Sequence, residues 1–329
     1  MTIPETTMRA TTIVPRSPLG QTGLSPSILS LGSWHTYDRM DFHAAAALLR
    51  KAVDAGINLF DVGVYGTADT QPPPITDILF SAMVRAAGLC REDYLLSSKL
   101  WLDFYDERGF RPQLERALYR VGVDHADLVI LGDLRRNDLS LRDLVLDLAG
   151  LRKAGLIRAW GVNNWSAGSI RSLIDISAAE GVEGPQLAQL KYSVARRSIP
   201  DGEPFAALFA DGFAMQSSDV MEGGILAGKT SPAREVGRDP GGIRERIVAT
   251  AEPLARLAAS YGASAAQVCI AFTLSHPNNV STLFGATRLE QLDQAIAAIG
   301  LLERIGAEEL RAAVEPFWCD RGIVDPEGP

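Results

Sequence analysis

Apolar residues along the chain follow two alternating patterns. Short apolar-rich runs occur at 27–31 (SILSL), 57–61 (INLFD), 94–99 (YLLSSK), 127–131 (DLVIL), 157–162 (IRAWGV), 186–191 (QLAQLK), 213–217 (FAMQS) and 281–285 (STLFG). Their length and composition predict strands. Between them, 41–55, 75–88, 110–122, 141–154, 167–180, 203–211, 264–276 and 288–300 carry apolar residues at helical spacing, as Phe42, Ala45, Leu48, Leu49 and Val53 do in the first. Strand–helix alternation implies parallel strands joined by crossover helices. Eight such repeats imply a single (β/α)8 TIM barrel rather than an open sheet. The stretch 230–262 exceeds one return: "TSPAREVGRDPGG" reads as a loop and 243–261 as an extra helix after strand 7. The tail "PFWCDRGIVDPEGP" is expected to fold over the barrel mouth. Polar residues 1–16 read as a flexible leader, and 17–329 as one barrel domain.

Active sites of such barrels sit at the C-terminal ends of the strands. There the chain places Asp61 and Tyr65 after strand 2, Lys99 after strand 3 and Gly132–Asp133 after strand 4. A lysine beside an aspartate is held as a cation. An adjacent cation favours the phenolate of a tyrosine and makes the phenol a usable general acid. The same pair also reads as a structural ion pair in the mouth. Aromatic residues gather at these ends too. Trp34, Tyr37, Trp101, Phe104 and Tyr105, with His35, are candidates to line an apolar substrate pocket.

Composition narrows the function classes. The 329 residues are 47% hydrophobic and 22% charged, with a net charge of −8. No dense Lys/Arg run suggests nucleic acid or an anionic membrane surface as a partner. No apolar run is long enough to span a bilayer. The three cysteines, Cys90, Cys269 and Cys319, are far apart and form no CxxC pair. That argues against a disulfide framework or a metal site and fits a reducing cytoplasm. A small-molecule substrate is expected, and the oligomeric state is not readable.

In order and position, several stretches resemble the aldo-keto reductase superfamily. "SPLGQTGLSPSILSLGSW" looks like its N-terminal hairpin and first strand, and "AVDAGINLFDVGVYG" like its strand-2 signature. "GLIRAWGVNNW" is similar to the strand-5 element and "PQLAQLKY" to the strand-6 element. "GGILAGK" is similar to the glycine-rich loop after strand 7, and "FGATRLEQL" to the start of the last helix. The resemblance implies hydride transfer from NADPH to a carbonyl. Asp61, Tyr65 and Lys99 would take the tetrad roles, with Tyr65 as general acid. Asn163, Asn164, Gln189 and Ser218 would face the nicotinamide. Gly224, Leu226, Gly228 and Lys229 would approach the pyrophosphate, and Gly285, Arg288 and Gln291 the adenosine phosphate.

The chain departs from the family pattern at several of these positions. The fourth tetrad position, usually histidine, is Gly132. Asp61 and Tyr65 are one residue closer than usual, a displacement of up to ~3.5 Å. Ser218-Asp219 replaces the aromatic on which a nicotinamide ring usually stacks. Three consequences of Gly132 are open: room for a bulky or differently polar substrate, a substitute acid or base in Asp133, or loss of carbonyl reduction. The expected function is therefore an NADPH-dependent reductase with an altered proton relay, acting on a specialised carbonyl, imine or enone. The alternatives are a cofactor-independent acid–base enzyme on the same barrel and a non-catalytic cofactor-sensing subunit.

Overall fold

The computed structural model describes residues 13–34, 36–63, 74–229, 236 and 242–322. Eight parallel strands close into a barrel in sequence order: β1 (Leu29–Gly32), β2 (Leu59–Asp61), β3 (Leu95–Leu100), β4 (Ala126–Leu131), β5 (Ile157–Asn163), β6 (Leu187–Lys191), β7 (Ala214–Ser218) and β8 (Asn279–Phe284). β8 returns to β1 through the register Leu29 to Thr282. Every expected strand is present, and this is the (β/α)8 barrel that the alternation implies.

The returns are α1 (Phe42–Asp54), α2 (Thr76–Ala86), α3 (Arg111–Val121), α4 (Leu141–Lys153), α5 (Ala167–Glu180) and α6 (Glu203–Ala210). The extra helix α7 (Ile243–Ser260) precedes α8 (Ala265–Leu274), and α9 (Leu289–Ile305) and α10 (Ala307–Ala313) follow β8. Local chemistry sets their ends. Asp41 accepts from the His43 and Ala44 amides at the start of α1, and Ser140 and Ser166 cap α4 and α5 the same way. At α8, Ser264 and Gln267 form a reciprocal capping box. Most of the expected loop at 230–242 lies outside the described residues, which resume at 236 and 242.

A hairpin closes the barrel at its N-terminal end. Arg16 and Ser27 form an antiparallel bridge, and the Leu19 amide donates to the Leu24 carbonyl at 2.9 Å. Leu19 and Leu24 are buried with Leu128, Ile130, Ala159, Leu187, Ala214 and Val280 in a cluster of their own. All of these partners but Ile130 come from the first three residues of their strands, so the hairpin acts as a plug. Of the expected leader, residues 1–12 lie outside the described residues. Val14 is buried and its amide donates to Ala55 at 2.8 Å.

As far as Gly322, the C-terminal tail docks on the connection between β6 and α6, a loop on the mouth face of the barrel; the rest of the expected tail, 323–329, lies outside the described residues. The Cys319 amide donates to the Ala195 carbonyl at 2.8 Å, and Trp318 Nε1 donates to Ser198 Oγ at 2.7 Å. The buried Asp320 accepts from the backbone amides of Arg197 and Ser198. Those two amides fasten the carboxylate, and hence this part of the tail, to the loop that follows β6. Among the described residues, no single helix is long and apolar enough to cross a membrane.

The plug is testable. Leu19→Ala opens a void at the barrel floor and should cost about 2–5 kcal/mol of unfolding free energy. Urea denaturation measures it; a loss within error of zero would show that the hairpin is an ornament and not a plug.

Candidate active site

The C-terminal ends of β2 and β3 bring a carboxylate and an ammonium together inside the barrel. Lys99 Nζ donates to both Asp61 oxygens, at 2.8 and 3.1 Å. Lys99 is 5% exposed and Asp61 2%. Two ions so far from water are tolerable only when paired and further hydrogen-bonded. Ser97 Oγ donates to Asp61 at 3.4 Å and Gln189 Nε2 at 3.2 Å. The pair opens onto a cavity of about 1040 Å³, lined by side chains from every side of the barrel mouth.

Gly132 ends β4 in that mouth, but its missing side chain does not leave space for a ligand. A Cβ added there would lie 2.5 Å from Trp101 Cε3 and 2.9 Å from Cζ3. The indole of Trp101 already occupies the volume. This corrects the expectation that Gly132 widens the site: the glycine is required by the close approach of the ring. The Gly132 carbonyl accepts from Trp165 Nε1 at 2.8 Å, so a second, fully buried tryptophan fixes the same residue from within.

Asp133 does face the cavity. Its Oδ1 accepts from Asn163 Nδ2 at 2.5 Å and Asn164 Nδ2 at 3.3 Å, and Oδ2 from Arg135 at 3.0 Å. Asn163 and Asn164, expected at the nicotinamide, thus also hold this carboxylate. Gln189 directs its amide hydrogens to Asp61 and, at 2.8 Å, to Gln216 Oε1. All three amides and Ser218 line the cavity. Asn164, Asp219 and Glu222, the non-glycine residues with positive φ among the described residues, are gathered at or just beyond the ends of β5 and β7. Backbone strain of this kind collects at functional sites.

The glycine-rich loop is arranged differently from expectation. The amides of Gly224, Leu226, Gly228 and Lys229 bond to carbonyls within the loop itself, at 2.8 to 3.3 Å. Leu226 has its side chain buried in the core, and neither it nor Gly228 lines the cavity. What faces the cavity is the bare backbone of Gly223 and Gly224, at φ 68° and 101°, and the exposed Lys229. At the far side stand Gly285, Arg288 and Gln291, as expected. Gln291 Oε1 accepts from the Thr287 and Arg288 amides at 2.8 and 3.2 Å and so caps α9. The N-terminus of α9 and two cations therefore favour an anion at this end.

Two expected substrate contacts are elsewhere. Tyr37 is 3% exposed and stacks on Phe80, with ring centroids 6.3 Å apart. Burial, and secondarily the charge of Asp61, pushes its phenol well above the ordinary range. Tyr105 packs on Phe110 at 4.5 Å and is outside the cavity lining. In each case an apolar neighbour claims the ring. Trp34, Trp101 and Phe104 do line the cavity. Tyr65 and His35 lie outside the described residues.

Sequence reasoning missed a buried ion pair under the strand-7 loop. Glu222 accepts from Arg196 at 3.1 to 3.3 Å and from Ser193 Oγ at 2.8 Å. Nothing in "SDVMEGG" or "SVARRS" signals it, because the partners are separated in sequence by a strand and a helix. Burial raises the Glu222 carboxyl above its ordinary 4.5, with Arg196 and Ser193 opposing the shift. A raised folded-state value means that the folded protein holds the proton more tightly. Glu222 then contributes stability below pH 4.5 that is lost as pH rises through the raised value. Glu222→Gln should remove that slope, so its stability relative to the parent improves across a window opening near pH 4.5. Denaturation midpoints at a series of pH values check this, and parallel curves would contradict it.

Comparison with known proteins agrees with this geometry. The probable voltage-gated potassium channel subunit beta of Oryza sativa subsp. japonica is 26% identical over 316 residues, covering 88% of this chain and 92% of that protein. The putative voltage-gated potassium channel subunit beta of Schizosaccharomyces pombe is 24% identical, covering 91% and 92%. The probable counterpart in Arabidopsis thaliana is 24% identical, covering 86% and 90%. The model of the aldo/keto reductase family matches residues 28–312, from the first strand to the last full helix. With the closed barrel and the Asp61–Lys99 pair at its mouth, the chain belongs to the aldo/keto reductase family.

Proposed function

We propose that the protein is an NADPH-dependent oxidoreductase with an altered proton relay, reducing a carbonyl, imine or enone. The observation that carries this reading is the buried Lys99–Asp61 pair at the base of a cavity with cations at its other end. The cavity, about 1040 Å³, is at the upper end of the ~300–1,000 Å³ that serves a single drug-sized ligand. That suits a dinucleotide with a small substrate. Lys229, Arg288 and the α9 N-terminus would hold its phosphates, and Asn163, Asn164 and Gln189 its amide end. A reduced nicotinamide bound there supplies a hydride, two electrons with one proton, to the substrate carbon.

The chain's residues handle the rest of the balance. As the carbon accepts the hydride, the C=O π electrons move onto oxygen, which must take one proton to become a hydroxyl. Tyr65 is the donor expected from sequence, and Lys99 stabilises the phenolate left behind. Strand 4 contributes no side-chain donor, since Gly132 has none and Trp101 fills its place. The proton would therefore come through the tyrosine–lysine side or from Asp133, the substitute acid expected from sequence, which faces the cavity.

The names of the related proteins support a second reading: a channel-associated subunit that binds the cofactor without turning it over. NADPH titration followed by nicotinamide fluorescence, then turnover over a panel of ketones, imines and enones, separates the two. Turnover supports the reductase. Binding without turnover supports the subunit, and no binding at millimolar cofactor leaves the cofactor-independent acid–base enzyme. Lys99→Met is expected to lower turnover by about 100-fold or more while cofactor affinity changes little. Undiminished turnover in that variant would remove Lys99 from the relay.

A further inference from the structure

Trp101 and Gly132 are 31 residues apart in the chain and share one volume in the fold. The benzo edge of the indole lies on the Gly132 Cα side so closely that no larger residue fits without moving the ring. Both backbones are held. The Trp101 amide donates to Gln113 Oε1 at 2.6 Å, and its carbonyl accepts from Gln113 Nε2 at 3.1 Å. The Gly132 amide donates to Leu100 at 2.8 Å, and its carbonyl accepts from Trp165. The backbones that carry the ring and its seat are thus each held by hydrogen bonds, and the ring lines the cavity.

Two more aromatics border the same cavity. Trp34 is 40% exposed and Phe104 47%, and both line it with Trp101. Large apolar side chains left this accessible beside a deep cavity are surfaces for a ligand. Where strand 4 ends, the cavity offers the Trp101 ring beside the Asp133 carboxylate and the amides of Asn163 and Asn164. A substrate with a flat, unsaturated face gains there by packing on the ring.

We propose that Trp101, seated on Gly132, is the specificity-determining residue of the cavity and selects substrates whose reacting carbonyl or imine is conjugated to an aromatic or olefinic system. The selection deepens the reductase reading, on which it rests for the reaction but not for the binding. Stacking geometry favours offset or edge-to-face ring pairs, worth roughly ten-fold in affinity beyond the area they bury.

The test compares methyl naphthyl ketone with methyl heptyl ketone, binding to the full chain by calorimetry with and without NADPH. The aromatic ketone is expected to bind about ten-fold more tightly. Trp101→Leu, which keeps an apolar side chain but no ring, should abolish the preference, and Trp101→Phe should restore part of it. Gly132→Ala should weaken the preference by pushing the ring out, and should have no further effect once Trp101 is leucine. Circular dichroism reports whether each variant folds; if Trp101→Leu does not, Gly132→Ala still carries the test, because it displaces the ring without deleting it. Equal binding of the two ketones by the parent, no binding of either, or a preference that survives both Trp101→Leu and Gly132→Ala overturns the proposal. A ring preference without NADPH binding sustains the selectivity and removes the reductase. NADPH-dependent turnover without a ring preference does the reverse.

Discussion

Everything at the mouth of this barrel depends on keeping one buried ammonium and one buried carboxylate in company. Lys99 and Asp61 meet at 2.8 Å with almost no access to water. The desolvation of such a pair can exceed its mutual attraction unless the remaining hydrogen-bonding capacity is filled. The barrel fills it with a polar thread. Gln189 donates to Asp61 and Gln216, Gln216 donates to Ser30 at 3.1 Å, and Ser281 donates to Ser30 at 2.9 Å. With Lys99, six of the eight strands are linked by side chains through this thread. A barrel interior is normally a layered apolar core. Here polar side chains surround the charged pair, and the apolar cluster of the interior joins the hairpin's Leu19 and Leu24 to residues of β4, β5, β6, β7 and β8.

A second buried pair, Arg196 with Glu222, does similar work one shell out. It fastens the turn after β7 to the connection after β6, which also receives the tail through Asp320. Glu222 and Asp219 hold left-handed backbone there. The strained turn sets the bare faces of Gly223 and Gly224 toward the cavity, while the loop's own carbonyls take up most of its amides. The anion-favouring character of that end therefore rests on Lys229, Arg288 and the α9 dipole more than on a nest of free amides.

The strands were legible because burial on both faces leaves an apolar-rich signature, as "LVIL" at 128–131 shows in β4, where every residue is buried. Lys99 and Asp61 were legible as polar residues ending such runs. What could not be read was which aromatic ring points where. Tyr37 and Trp34 sit three residues apart at the end of β1, yet one stacks on Phe80 and the other lines the cavity. Period-based reasoning does not extend into loops, where packing partners come from distant sequence. Leu226 and Gly228 belong to the same lesson, since a glycine-rich motif does not say whether its amides point outward or back on the loop. The match of Gly132 to Trp101 is of this kind too: the sequence shows the absence of a side chain, and only the fold shows what occupies its place.

That occupancy changes what the absence means. A strand-4 side chain that donates to the substrate oxygen and an indole resting on strand 4 compete for one volume, so the site can have either but not both. The first strengthens transition-state stabilisation of any carbonyl, commonly by two orders of magnitude or more. On the proposed reading, the second gives up that generality in exchange for an apolar ring surface against which a substrate would pack near Lys99. The clamps on both partners, Gln113 on Trp101 and Trp165 on Gly132, fix the exchange in place. Restoring a histidine at 132 would therefore first have to evict a ring anchored by its own backbone, and would not by itself rebuild the relay.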